Sequence, residues 1–179
     1  TLGDSHRVTA GGEWRHDFEL LQRNWEVDPY EEQFDSSQSA DILGLFVQDE
    51  WSIRTNLILS AGVRYDHYSA FGDTFNPRAA LIYSAWQSST FKLLYGQAFR
   101  APNAYELYYE STVNQANTGL QPETIQSYEL VWEQRIAMNW RASVSAFWND
   151  VEDLINQELD PGADPVVDRL VAGRCNAVG

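Results

Sequence analysis

The sequence alternates. From His6 to Leu21 one side of an extended chain carries Val8, Ala10, Gly12, Trp14, His16, Phe18 and Leu20. The other carries Arg7, Thr9, Gly11, Glu13, Arg15, Asp17 and Glu19. Period-2 patterning of this kind marks a β-strand with two unlike faces, and helical spacing is rare in the chain. The pattern recurs at Leu57–His67, Phe91–Arg100, Glu123–Ile136 and from Trp140 onward, where Trp140, Ala142, Val144, Ala146 and Trp148 oppose Arg141, Ser143, Ser145, Phe147 and Asn149. Two further strands are expected at Asp41–Ile53 and Phe75–Ala85. That makes about seven strands, each long beside the typical five or six residues.

The connections are expected to run long (Gln22 to Ala40), short (Arg54 to Asn56), medium (Ser69 to Thr74), short (Trp86 to Ser89), long (Pro102 to Pro122) and short (Ala137 to Asn139). An up-and-down antiparallel meander puts alternate connections at opposite ends. Outer-membrane barrels have short periplasmic turns and longer extracellular loops, and the order here fits at every connection. Greek-key sandwiches give no reason for it. The expected fold is therefore all-β, an antiparallel up-and-down transmembrane β-barrel.

A Lys or Arg facing lipid at mid-membrane costs ~2–4 kcal/mol, so the charged faces belong to the lumen and the Leu, Val, Ala and aromatic faces to lipid. Arg64, Asp66, Arg78, Lys92, Arg100, Glu129, Glu133 and Arg135 are accordingly expected to face the lumen and its contents. Trp140 and Trp148 share the lipid face, roughly 19 Å apart along the membrane normal for a strand tilted ~45°, which suits two interfacial aromatic girdles. No run approaches the ~18 apolar residues of a membrane helix, but a barrel never shows one. Charge removes other classes. The chain holds 26 acids against 12 bases, a net charge of −14. Nucleic acid, whose binding needs surplus Lys and Arg, is a poor partner. The single Cys175 excludes an internal disulfide framework and a Cys-based zinc cage.

Several stretches resemble successive strands of TonB-dependent outer-membrane receptors: Gly44–Ile53 (GLFVQDEWSI), Leu59–Asp66 (LSAGVRYD) and Phe75–Tyr83 (FNPRAALIY). The strongest are Lys92–Tyr109 (KLLYGQAFRAPNAYELYY) and Leu120–Gln134 (LQPETIQSYELVWEQ), with Phe147–Ile155 (FWNDVEDLI) after them. The resemblance covers about residues 40–157. Such transporters have 22 strands and a plugged lumen. About seven strands cannot close that circle, and an odd number cannot close an up-and-down barrel. Residues 1–179 are thus expected to be an internal part of the barrel domain. A plug domain, a signal peptide and an energy-coupling box are not recognisable in them.

The resemblance implies a receptor in the bacterial outer membrane that imports a scarce, bulky solute. A ferric siderophore is the commonest class, with cobalamin, haem or an oligosaccharide also compatible. Its implied partners are outer-membrane lipid and lipopolysaccharide, the transported ligand, and the inner-membrane TonB complex acting through the plug. No enzyme activity and no cofactor is implied. The loop after Arg100 is the best capture surface. Pro102 ends the strand, and Asn103, Tyr105, Glu106, Tyr108, Tyr109 and Asn114 follow, aromatic bodies with polar tips that suit a partly apolar ligand. Glu110, Gln115 and Asn117 extend it. Arg100, just before Pro102, is expected to link the wall to the plug or to this loop.

Other clusters carry less. Glu26, Asp28, Glu31, Glu32 and Asp35 read as a solvated acidic loop. Glu158, Asp160, Asp164 and Asp168 offer hard oxygen ligands without EF-hand spacing. His6, His16 and His67 show no metal spacing, and no nucleophile elbow or phosphate loop is present. The alternative is a soluble all-β carbohydrate-binding module whose Trp-rich faces form a core and a sugar platform. A porin-type barrel without a plug is a third possibility.

Overall fold

The computed structural model describes residues 5–111, 114–160 and 167–178. They form β1 (His6–Val27), β2 (Tyr30–Arg54), β3 (Leu57–Tyr68), β4 (Gly72–Trp86), β5 (Ser89–Arg100), a one-turn helix α1 (Ala104–Tyr108), β6 (Asn114–Gln115), β7 (Glu123–Ala137), β8 (Trp140–Asp160) and β9 (Val167–Val178). One sheet holds every strand, in the order β1-β2-β3-β4-β5-β7-β8-β9-β6. All neighbours are antiparallel except the two-residue β6, which runs parallel to β9. The seven expected strands are all present in an up-and-down meander, and β9 adds an eighth. Among the described residues β1 pairs with β2 alone, so the sheet is an open arc.

Register carries the two faces across the arc. Trp51 lies opposite Leu59, Leu59 opposite Leu81, Leu81 opposite Leu93, Leu93 opposite Leu130 and Leu130 opposite Ala146. This apolar row crosses six strands without a slip, because a one-residue shift would turn every side chain to the wrong face. None of the described residues covers it: Leu93 and Leu130 stay half-exposed. Among the described residues the buried hydrophobics are Ile42, Leu107 and Leu120, while Trp14 is 71% exposed, Phe18 85% and Trp140 72%. A water-soluble monomer rarely exposes so large an apolar surface. A carbohydrate-binding sandwich needs a second layer and a core between the layers, and the described residues form one layer.

The segment expected as a long acidic loop is instead strand. β1 and β2 continue past Leu20 and Gln38 as a ladder that turns at Asp28-Pro29. Glu26 and Glu31 lie opposite each other there, and Arg23 pairs with Asp35 at 3.2 Å. Beyond the apolar band both faces of a strand meet water, so the period-2 signal vanishes although the ladder does not. The tail differs similarly: Glu158 and Asp160 lie in β8 and Asp168 in β9, while Asp164 and Pro161-Gly162 lie outside the described residues. Gly72 closes the β3–β4 turn at φ 97°, a left-handed conformation that glycine alone adopts without steric cost.

Candidate functional site

The segment after β5 is not irregular throughout. Asn103 caps α1: its side-chain oxygen accepts from the Glu106 N–H at 2.9 Å, and the Asn103 N–H donates to the Glu106 carboxylate at 2.8 Å. This reciprocal capping box satisfies two donors that a helix start leaves orphaned. Leu107 packs inward and is buried, as are Leu120 and the flanking Pro102 and Pro122.

Arg100 fastens this helix to the wall. Its Nε and Nη2 donate to the two Glu123 oxygens at 2.6 and 2.7 Å, and its Nη1 donates to Glu106 at 3.0 and 3.1 Å. The planar guanidinium forks onto Glu123, directly opposite it in the β5–β7 register, while its remaining edge reaches α1. Glu123 also accepts the Ile155 N–H at 2.8 Å. Ile155 lies past the end of the β7–β8 ladder at Glu152, just after a bulge between Val151 and Leu154 where Asp153 takes φ 56°. Four elements (β5, α1, β7 and β8) thus meet at one Arg and two Glu. Glu123 lies at the loop end, five residues past the Tyr128–Trp148 pair, and the Arg100 hydrogen bonds hold its carboxyl below the usual carboxylate range.

The helix also touches the far hairpin. Tyr105 and Tyr109 stack with centroids 4.5 Å apart, Phe34 of β2 meets Tyr109 edge-on at 5.2 Å, and Asn24 of β1 donates to the Tyr109 hydroxyl at 3.0 Å. The long β1–β2 hairpin therefore reaches over the short β3–β4 turn to α1. Of the six expected capture residues, Asn103 and Glu106 are engaged in the cap and the ion pair. Asn114 exchanges hydrogen bonds with Ser111 and accepts from Gln157 at 3.0 Å. Tyr105 stays half-exposed, Tyr108 is partly covered, and Tyr109 is pinned by its neighbours. Asn24 and Phe34 had no sequence signal, because their approach is set by hairpin length.

The eight charged residues expected on one face share it by register. Arg64 donates to Asp66 at 2.8 and 2.9 Å and to Glu13 at 2.5 Å, joining β3 to β1 across β2. It can do so because Gly44 of β2 lies beneath, where a Cβ would stand 2.5 Å from Arg64 Nη2. Asp66 is only 1% exposed. Arg78 donates to Gln48, and Lys92 donates to Glu133 at 2.6 Å. Arg135 bonds the Gln87 carbonyl at 3.2 Å, and Glu129 lines a cavity of about 290 Å³ with Arg78 and Ser127. Each His pairs with one Asp: His6 with Asp49, His16 with Asp41 and His67 with Asp73. No group of three metal-ligating side chains occurs among the described residues.

A family model described as "TonB dependent receptor-like, beta-barrel" matches residues 1–171. The chain belongs to this family. It is a wall segment of a bacterial outer-membrane β-barrel. The ferric enterobactin receptor of Pseudomonas aeruginosa is 30% identical over 141 residues, covering 70% of this chain and 19% of that protein. Vitamin B12 transporter BtuB of Vibrio cholerae is 32% identical over 112 residues, covering 60% of this chain and 17% of that protein. A solved ferric enterobactin receptor variant of P. aeruginosa, in complex with enterobactin, superposes with TM-score 0.81 at 23% identity over 100% of this chain and 30% of that one. The chain thus spans about a fifth of the curated relatives it matches. These relatives are transport receptors, not enzymes.

Proposed function

We propose that residues 1–179 form part of the barrel domain of a TonB-dependent receptor that captures a ferric siderophore and imports it across the outer membrane. The plug domain is supplied by sequence outside these residues. Sequence similarity to a named enterobactin receptor favours a siderophore over the cobalamin that BtuB is named for. One structural observation carries the site: the α1 segment is held as a preformed surface by Arg100 below and by Asn24 and Phe34 beside it. Preorganisation of this kind lowers the ordering cost of binding. Tyr105 and Tyr109 offer aromatic faces, and Tyr108, Glu110 and Gln115 lie around them. The charged face lines the lumen, where Arg64, Asp66, Arg78, Lys92, Glu129, Glu133 and Arg135 stiffen the wall and meet the plug. Lipid and lipopolysaccharide cover the apolar face, and the TonB complex supplies the force that moves the plug.

The test is a binding titration of the full-length protein, followed by tryptophan fluorescence. The probes are a ferric catecholate siderophore, a ferric hydroxamate siderophore, cyanocobalamin and haem. Saturable binding of a ferric siderophore, weakened by Tyr105→Ala and Tyr109→Ala, supports both substrate and site. Binding of cobalamin or haem alone overturns the substrate. Siderophore affinity unchanged in both tyrosine variants overturns the site.

A further inference from the structure

At the end of the sheet opposite α1, two arginines face each other. Arg135 of β7 and Arg141 of β8 are directly opposed Cα partners, flanking the tight turn at Met138-Asn139. Like charges directly opposite on an antiparallel pair are destabilising. Arg7, Arg15, Arg23, Arg64, Lys92 and Arg100 each meet a carboxylate. Arg78 donates to Gln48 and Arg54 stands exposed, and among the described residues no other two opposed basic residues are left without an acid. Neither Arg135 nor Arg141 has an acidic partner among the described residues. Arg135 spends one donor on the Gln87 carbonyl. Glu133, two residues before Arg135 on the same face of β7, pairs instead with Lys92 at 2.6 Å. In a chain with 14 more acids than bases, two opposed and unpaired guanidiniums need a physical reason.

The surroundings supply one. Arg135 and Arg141 line an open cavity of about 400 Å³ with Ser88, Thr90 and Ser143, and Glu133, lying between Thr90 and Ser143 in the register, lines it too with its charge paired to Lys92. Guanidinium forks with hydroxyl donors beside them form the chemistry that recognises carboxylate or phosphate oxygens. By register the two arginines lie on the charged face, away from the lipid-covered one, so a lipid phosphate does not reach them. We infer that Arg135, Arg141 and the hydroxyls of Thr90 and Ser143 form an oxyanion site at the short-turn mouth of the barrel. The oxyanion is either a free phosphate or a carboxylate side chain of the same full-length protein. The inference does not depend on which solute the receptor carries.

The sign of a stability change tests it. Without an anion, Arg141→Gln relieves repulsion and the protein melts at or above the wild-type temperature. With an anion in place, the same change removes half its cradle and the melting temperature falls. The full-length protein in detergent is melted with and without inorganic phosphate, as wild type, Arg135→Gln, Arg141→Gln and Arg141→Lys, with Arg54→Gln as an exposed control. For a free anion, phosphate raises the wild-type melting temperature, and either Gln variant weakens its apparent affinity roughly tenfold or more. For an internal carboxylate, phosphate has no effect, both Gln variants melt lower in either buffer, and Arg141→Lys recovers most of the loss. Either result supports the site and assigns its source. Gln variants that melt at or above wild type in both buffers overturn it.

Discussion

Removing the Arg100 guanidinium should release α1 from the wall. Arg100→Ala deletes four hydrogen bonds, two to Glu123 and two to Glu106. The Arg100 side chain is 44% exposed, whereas Glu106 and Glu123 are 15% and 14% exposed. Solvent around Arg100 discounts the pairing, while the two carboxylates left behind are poorly hydrated, which raises the cost. Balancing these gives roughly 2 kcal/mol of lost docking. That corresponds to roughly thirtyfold more frequent opening of the segment. Native-state hydrogen exchange of the full-length protein reads this directly through the Leu107 and Tyr109 amides, which bond the Asn103 and Tyr105 carbonyls at 3.1 Å. Glu106→Gln, which keeps an acceptor for the cap but drops the charge, should give an intermediate loss. The reasoning fails if Arg100→Ala leaves protection of α1 within about threefold of wild type. Siderophore affinity should weaken in parallel with the lost protection.

Three other outcomes are expected. Gly44→Ala places a methyl 2.5 Å from Arg64 Nη2 and 2.9 Å from Asp66 Oδ1; it should cost about 1–3 kcal/mol by forcing the ion-pair cluster aside, read as a lower urea midpoint in detergent. Leu130→Lys, in the middle of the apolar row, should destabilise the membrane-folded barrel by about 2–4 kcal/mol, whereas a soluble surface site would tolerate it within about 0.5 kcal/mol. The third concerns pH. Arg100 lowers the Glu123 pKa in the folded state, so its stabilisation is complete above the unfolded carboxyl's ordinary value of about 4.3 and is lost as pH falls through the lower folded value. A pH series downward from about 5 should therefore lower the melting temperature of wild type more than that of Arg100→Ala.

Strand existence and the split into two unlike faces are legible because a sheet with one apolar and one charged side constrains every second residue. Leu93, Leu130 and Ala146 share the apolar face while Lys92, Glu129 and Ser145 lie on the other, and the alternation is written into the residues. Where that constraint ends, so did the signal. The Gln22–Ala40 stretch is polar on both sides, so its continuation as strand depends on backbone pairing that sequence does not display. The candidate site divides along the same line. Arg100 and Tyr109 were visible from strand parity and from the aromatic run. The capping pattern Asn103-x-x-Glu106 is also present in the sequence, but the same polar residues suit ligand contact, so the spacing alone does not single out a helix start. Asn24 and Phe34 could not have been found, since they reach α1 across a long stretch of chain. The bulge at Asp153 carries no sequence signal, because no glycine marks it.

The central claim is that one face of this sheet meets lipid and the other does not. A nitroxide scan along β8 of the full-length protein in bilayers tests it, with single labels from Ala142 to Phe147 and collision rates measured for oxygen and for a water-soluble nickel chelate. Oxygen accessibility should alternate with period 2, high at Ala142, Val144 and Ala146 and low at Ser143, Ser145 and Phe147. It should far exceed nickel accessibility at Val144 and Ala146. Oxygen accessibility without alternation, or nickel reaching Val144 and Ala146 as readily as oxygen, would contradict the account.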